Sequence, residues 1–298
     1  MQGSLNMKHP WGTLQHRQPD SHKGTYGRVA VIGGSTGMSG AVCLSATAAL
    51  RSGAGLVTAV VPQSIQAIVA SYEPSYMSVG LPCDSDGALV DSCVDWVSQI
   101  QSFNAVAIGP GLGAGVPAGR LLAEVLRSAR CPVVVDADGL NQATRLGLLM
   151  QHRSPEATTV LTPHPGEFAR MLGRPVAEVQ SRRQELAVEF AGRCGMIVVL
   201  KGHQTIVTNG QEVYVNSTGN PGMATGGSGD VLTGIVAAQL ASGMPPFAAT
   251  CLAVHIHGLA GDLAAERLSQ RGLIASDLLD YLGPAWRRLD VEAADSWL

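Results

Sequence analysis

Along the chain, short and nearly continuous apolar runs alternate with longer stretches whose apolar residues recur every three or four positions. The runs are RVAVI (Arg28 to Ile32), LVTAVVP (Leu56 to Pro62), AVAI (Ala105 to Ile108), PVVVDADG (Pro132 to Gly139), TVLTPHPGE (Thr159 to Glu167) and MIVVLKGHQT (Met196 to Thr205), with a shorter one at Ser75 to Leu81. The periodic stretches are Ala41 to Arg51, Ser64 to Ser71, Cys93 to Gln101, Ala118 to Arg127, a helix starting near Leu140, Phe168 to Leu172, Val176 to Cys194, Pro246 to Arg271 and Ile274 to Leu289. Strands apolar on both faces, alternating with amphipathic helices, predict a mostly parallel sheet covered on both sides. Ile206 to Thr208 and Val213 to Asn216 predict a hairpin turned at Asn209-Gly210. No shift in composition marks an internal boundary. The expectation is one α/β domain over residues 24–298, after an irregular lead-in over 1–23.

One stretch organises the rest: NPGMATGGSGDVLTGIVAAQLASG, Asn220 to Gly243. Glycine and small polar residues (Gly222, Gly226, Gly227, Ser228, Gly229) lead to Asp230. After it Val231, Leu232, Ile235, Val236 and Leu240 fall at helical spacing. The first amides of such a helix have no partner within it, and its dipole favours an anion there. Asp230 fits two roles, a helix cap or a functional carboxylate. In open parallel sheets ligands sit outside the carboxyl ends of the strands. Gly33–Gly40, Gly109–Gly115, Asp136–Asn141, Thr162–Glu167 and Lys201–Thr205 all follow strands, so they should converge on one crevice, with Gly226–Asp230 completing it.

Composition narrows the chemistry. The chain is 46% hydrophobic and 14% charged, with formal net charge −3, so no bulk field favours nucleic acid or an anionic membrane. Arg182-Arg183 and Arg287-Arg288 read as solvated helix faces. The six cysteines contain no C-x-x-C pair, which fits free thiols in a reducing, cytoplasmic setting better than disulfides or a zinc site. No uninterrupted 18-residue apolar run predicts a membrane span, and the N-terminus lacks the apolar core of a signal peptide.

Two nucleotide motifs fail. After the first strand, Ile32 occupies the first glycine position of G-x-G-x-x-G; Gly109-x-Gly111-x-x-Ala114 fits better but is a lone match. A Walker A sequence is absent. His255 and His257, two apart in a helix, read as core or capping residues and not as metal ligands. Asp136 and Asp138 suit water-mediated magnesium and turn or cap roles equally. Lys201, at the end of a buried strand, needs a negative partner, either a phosphate or a structural carboxylate. His164, stiffened between Pro163 and Pro165, suits a contact residue or an ordinary turn.

In order along the chain, KGTYGRVAVIGGS, MSGA, RSGAG, GPGLG, VVDADGLN, LTPHPGE, LKGHQT and NPGMATGGSGDVLTG resemble the ADP/ATP-dependent NAD(P)H-hydrate dehydratases, a branch of the ribokinase-like superfamily. The resemblance runs from about Lys23 to Leu282. It implies a ribokinase-like fold, a tetramer, and repair of hydrated NADH or NADPH (NADHX, NADPHX): a nucleotide phosphorylates the C6 hydroxyl, and phosphate then leaves. It implies Asp230 as base, and amides of Gly227, Ser228 and Gly229 as an anion hole. Lys201, Gly202, His203, Gln204, Thr205 and Gly229 would hold the nucleotide. Ala41, Gly113, His164 and Asp230 would line the nicotinamide side. Magnesium is expected with the nucleotide, its ligands unassigned. The resemblance is to bacterial members, which use ADP, and to the stand-alone form, whose epimerase is on another chain. Two rivals are a small-alcohol kinase of the same superfamily (hydroxyethylthiazole or vitamin B6 type) and a silent nucleotide sensor; HPGE and KGHQT oppose the first, an intact Asp230 the second.

Overall fold

The apolar runs become strands; those beginning at Pro132, Thr159 and Met196 stop sooner than expected, at the carboxyl ends of the sheet, and the other runs end where expected. The computed structural model describes residues 9–12, 17–151 and 157–295. In chain order the elements are β1 (Arg28–Ile32), α1 (Ser39–Arg51), β2 (Leu56–Pro62), α2 (Gln66–Tyr72), β3 (Met77–Leu81), β4 (Ala105–Ile108), α3 (Val116–Ser128), β5 (Val133–Val135), α4 (Asp138–Arg145), β6 (Thr159–Leu161), α5 (Pro165–Leu172), α6 (Val176–Ser181), α7 (Arg183–Cys194), β7 (Ile197–Leu200), β8 (Ile206–Thr208), β9 (Val213–Val215), α8 (Ser228–Ala241), α9 (Pro246–Leu268) and α10 (Ala275–Asp295). The sheet order is β3-β2-β1-β4-β5-β6-β7-β8-β9. It is parallel from β3 to β7, and antiparallel where β8 meets β7 and β9.

Alternate strand residues feed two cores. Val29, Val31, Ala105, Ala107, Val134 and Val199 pack with residues of α1, α8, α9 and α10. Ala30, Ile32, Val106, Ile108, Val135 and Val198 pack with α3, α4, α5 and α7. The chain runs outward from β1 to β3, then crosses to β4 on the other side of β1. Such a reversal opens a crevice between the two strands at their carboxyl ends. The loops there are in close contact: the Gly34 amide donates to the Pro110 carbonyl at 2.8 Å. A Cβ at Gly33 would lie 2.2 Å from the same oxygen.

Several expectations are corrected. The strand expected to Gly139 ends at Val135, because Ala137 adopts φ 49°, ψ −119° and turns the chain into α4. The strand expected to Glu167 ends at Leu161; α5 starts at Pro165, a residue suited to a helix's first turn, and is closed by a His164–Glu167 capping box. The helix expected over Val176 to Cys194 is broken at Arg182, φ −130°, outside the helical region. The stretch near Cys93 is a 3₁₀ helix, Asp91–Ser102, burying Cys93, Trp96, Val97 and Ile100; the i, i+3 pairs 93/96 and 97/100 eclipse in that geometry. The β8–β9 turn is longer than Asn209-Gly210: the Asn209 carboxamide oxygen accepts from the amides of Gln211 and Glu212. The lead-in over 1–23 lies partly outside the described residues; within it Trp11 is buried, stacked on His9 with centroids 4.5 Å apart and 5.0 Å from His255.

α9 is long and apolar enough, by length and composition, to cross a membrane, although no uninterrupted run marks it in the sequence; 67% of that stretch is packed inside the protein, against α8 and α10. α8 is apolar all round, as a helix surrounded by others must be. It meets α1 at Gly234, where a Cβ would lie 2.0 Å from the Ser45 carbonyl oxygen. Gly234→Ala should therefore push α1 and α8 apart and cost about 1–3 kcal/mol. The urea midpoint at unchanged m-value measures this; a shift below about 0.5 kcal/mol would contradict it.

Candidate functional site

β5 and β7 deliver Asp136 and Lys201 to one point. Asp136, 1% exposed, accepts from Lys201 Nζ on Oδ1 at 2.8 Å and from Thr233 Oγ1 of α8 on Oδ2 at 2.8 Å. The partner that Lys201 needs is thus a carboxylate of the protein. The sequence left that alternative open; what it could not show is that Asp136, 65 positions away, supplies it. Burial pulls the Lys201 ammonium down, but Asp136, Glu167 and Asp230 together outweigh it and leave its pKa raised.

α8 begins at Ser228, two residues before Asp230. Gly227 is its N-cap at φ 93°, and Ser228, Gly229 and Asp230 form its first turn. Gly227 requires the absence of a side chain twice over, by its φ and because a Cβ would lie 2.6 Å from Leu44 Cδ1. Asp230 is not the cap: no side chain caps this helix. Its backbone carbonyl accepts from Ser45 Oγ at 2.8 Å, while its carboxylate makes no hydrogen bond or ion pair among the described residues. Burial pushes that carboxyl from 3.8 up to about 7; Asp136 adds to this, Lys201 opposes it, and Asp138 and Glu167 contribute further. The amides of Gly227 and Gly229 make no hydrogen bond among the described residues, Ser228 N lies 3.4 Å from Thr225 O, and the buried Ser228 Oγ has no partner. A Cβ at Gly229 would lie 3.0 Å from Lys201 Nζ, so the lysine stands directly against the first turn of α8.

The remaining expected residues surround this point unequally. The Gly113 amide donates to Asp138 Oδ2 at 2.9 Å, which makes Asp138 a loop anchor. Ala41, at the start of α1, faces the Gly111 backbone. His164 caps α5: its Nδ1 accepts from the amides of Gly166 and Glu167, and its own amide donates to Glu167 Oε2 at 2.7 Å. Gly202, His203 and Gln204 lie on the exposed side of their loop, and Thr205 Oγ1 donates to the Gly202 carbonyl at 2.9 Å. A cavity of about 630 Å³ opens beside Gly113, lined by Ser35, Pro62, Asp84, Leu112 and Arg120 among others. No group of three or more metal-ligating His, Cys, Asp or Glu side chains converges among the described residues. Asp136 already accepts one hydrogen bond on each oxygen, so the described residues offer no ready-made magnesium cage. Thr233 and Glu167 were missed by sequence reasoning. Glu167 had a usable signal, the capping-box spacing from His164; Thr233 had none. His257, expected as a core or capping residue, donates from Nε2 to the Ser228 carbonyl at 2.9 Å, and is pushed down to about 4 by burial.

The raised Asp230 carboxyl has a consequence for stability. Between about pH 4 and pH 7 the folded protein holds a proton there that the unfolded chain has released, so stability falls as pH rises through that window. His257 titrates in the opposite sense but is common to wild type and variant, so it cancels in the difference. Asp230→Asn should raise Tm relative to wild type at pH 8, and the gap should close by about pH 4. A gap independent of pH would show that Asp230 titrates at its ordinary value.

Comparisons with known proteins identify the family. The profile described as NAD(P)H-hydrate dehydratase matches residues 29–284. An ADP-dependent (S)-NAD(P)H-hydrate dehydratase from Neisseria meningitidis is 39% identical over 291 residues, 97% of this chain and 92% of the relative. A bifunctional NAD(P)H-hydrate repair enzyme from Moorella thermoacetica is 45% identical, over 94% of this chain but 53% of its own length. The chain thus spans about half the length of the bifunctional relatives it matches. The crystal structure of an ADP/ATP-dependent NAD(P)H-hydrate dehydratase from Bacillus subtilis, co-crystallised with ATP and Mg2+, superposes with a TM-score of 0.82 at 34% identity, over 96% of this chain and 99% of that one. The fold is the expected ribokinase-like one. With a profile match over most of its length and a relative 39% identical across nearly all of both chains, this protein belongs to the NAD(P)H-hydrate dehydratase family.

Proposed function

We propose that this protein dehydrates the 6S form of hydrated NADH or NADPH, converting ADP to AMP and phosphate. The observation that carries the reading is Asp230, a carboxylate without a partner among the described residues, raised to about 7 in the first turn of a buried helix, beside the Gly227 and Gly229 amides, which make no hydrogen bond among those residues. Its ordinary value would make it a poor base; near 7 it is matched to a proton transfer at neutral pH. Asp230 takes the proton of the C6 hydroxyl as that oxygen attacks the terminal phosphoryl of ADP. The amides of Gly227, Ser228 and Gly229 stabilise the charge on the phosphoryl oxygens, the largest contribution expected in a transfer of this kind. The C6–O bond then breaks: the ring nitrogen lone pair forms the C6–N double bond, phosphate leaves, and loss of a C5 proton restores the dihydronicotinamide.

In this reading the Lys201 ammonium, held by Asp136 against Gly229, lies beside the path of the phosphates, with Gly202 to Thr205 on the nucleotide's far side. Ala41, Gly113 and His164 line the nicotinamide, and the cavity next to Gly113 receives the rest of the dinucleotide; its volume is in the range of small-molecule sites. Magnesium, when bound with the nucleotide, supplies charge neutralisation of the phosphates. Residues 24–298 act as one catalytic domain, in the cytoplasm, where the free thiols of all six cysteines are at home. Because the reaction takes the S epimer, an epimerising activity must supply it from the R form.

Purified protein with hydrated NADH and Mg2+ should restore reduced-nicotinamide absorbance when ADP is added and much less with ATP; no recovery with either would return weight to the small-alcohol kinase. Asp230→Asn should lower kcat by about 10²–10⁴, and wild-type kcat/KM should rise with pH through about 7 as the base ionises. A wild-type rate in that variant would sink the assignment. Association as a tetramer belongs to the same reading, and sedimentation as a monomer at micromolar concentration would refute it.

A further inference from the structure

The doublet Arg182-Arg183 looks like a solvated helix face, and Arg182 is one: it pairs at the surface with Glu178 and Glu185. Arg183, the first residue of α7, turns the other way. Its guanidinium donates to the carbonyls of Leu200 at 3.1 Å, Lys201 at 3.2 Å, and His203. Its Nε is buried without a partner, and no carboxylate pairs with it among the described residues. A Cβ at Gly202 would lie 3.2 Å from its Nη2, so the loop passes directly over the guanidinium.

Three backbone carbonyls drawn onto one cation fix more than the carbonyls. In a planar trans peptide the C=O of one residue and the N–H of the next point in opposite directions. The Lys201 carbonyl faces Arg183, so the Gly202 amide faces away; the His203 carbonyl faces Arg183, so the Gln204 amide faces away too. Neither amide makes a hydrogen bond among the described residues. The intervening backbone is left-handed at Gly202, φ 130°, and at Gln204, φ 53°. The second is a non-glycine residue held at a cost of order 1 kcal/mol, the kind of strain retained where a loop has a task.

We infer that Arg183 is a positioning residue for the nucleotide: without touching it, its clamp aims the Gly202 and Gln204 amides as a pair of donors for acceptor oxygens of a nucleoside diphosphate. This rests on the nucleotide dependence proposed above. The test compares wild type, Arg183→Ala and Arg183→Lys by calorimetric titration with ADP and Mg2+ and by steady-state kinetics. Arg183→Ala should raise the Kd and the KM for ADP at least about 10-fold, the loss of one to two hydrogen bonds to a charged group. At saturating ADP, kcat and the KM for hydrated NADH should stay within about two-fold of wild type. Arg183→Lys should be weakened similarly, since a point-charge ammonium cannot span three carbonyls. Millimolar guanidinium ion should recover ADP affinity in Arg183→Ala and leave wild type unchanged, which a merely structural role would not produce. An ADP affinity in Arg183→Ala within two-fold of wild type, or equal rises in both KM values, would overturn the inference. If Arg183→Ala does not fold, wild-type affinity in Arg183→Lys overturns it. Failure of wild type itself to bind ADP would bring down the nucleotide reading and this inference with it; binding that is indifferent to residue 183 would bring down the inference alone.

Discussion

One buried carboxylate, Asp136, joins three parts of the chain that are otherwise remote from each other. It follows β5 directly, and takes Lys201, just beyond β7, on one oxygen and Thr233 from the second turn of α8 on the other. Its backbone carbonyl fills the space where a Cβ of Gly109 would be, 1.9 Å away, so the loop after β4 is fitted to it as well. Removing one partner from such a buried pair typically costs about 3–5 kcal/mol, because the other charge is left uncompensated. The tie therefore holds the amino end of α8 over the sheet edge and keeps the lysine directed at Gly229.

The electrostatics of the site follow from that tie. Lys201 is acted on by Asp136, Glu167 and Asp230, and Asp230 by Asp136, Lys201, Asp138 and Glu167. Burial pushes the Asp230 carboxyl up, Asp136 adds to this, Lys201 opposes it, and Asp138 and Glu167 add further. This leaves Asp230 near 7 although it sits at the positive end of a helix, a position that by itself favours the ionised form. Strain sits close to the same point: Ala137, next to Asp136, and Gln204, within the Lys201–Thr205 loop, both hold positive φ. Two non-glycine residues in that region, flanking one ion pair, mark backbone held in place by its surroundings.

Much of the architecture can be read from local patterns. The apolar runs identify each strand of the parallel sheet, because strands buried on both faces must be apolar throughout. The Gly-rich segment before Asp230 identifies a helix end suited to an anion, because glycine permits the φ of 93° at Gly227. The strand ends are less legible. Periodicity continues through PVVVDADG and TVLTPHPGE, while the break at Ala137 and the start at Pro165 are decided by how the loops meet at the carboxyl edge. Arg182 and Arg183 are the same residue type, adjacent in sequence. Only the turn between α6 and α7 directs one to solvent and the other under the Lys201–Thr205 loop.

The sequence alone determined the class of fold, the order of its elements, the glycine-cradled helix end and, through its ordered motifs, the family. Those are properties of neighbouring residues, and local propensity and spacing encode them. The tertiary structure alone decided that Lys201 pairs with Asp136, that the Asp230 carboxylate has no partner among the described residues and is raised in pKa, and that Arg183 orients the loop beyond β7. The first depends on residues 65 positions apart brought to 2.8 Å, the second on burial and on charges from several strand ends acting together, and the third on carbonyls 17 to 20 positions beyond Arg183; no spacing along the chain reports any of them.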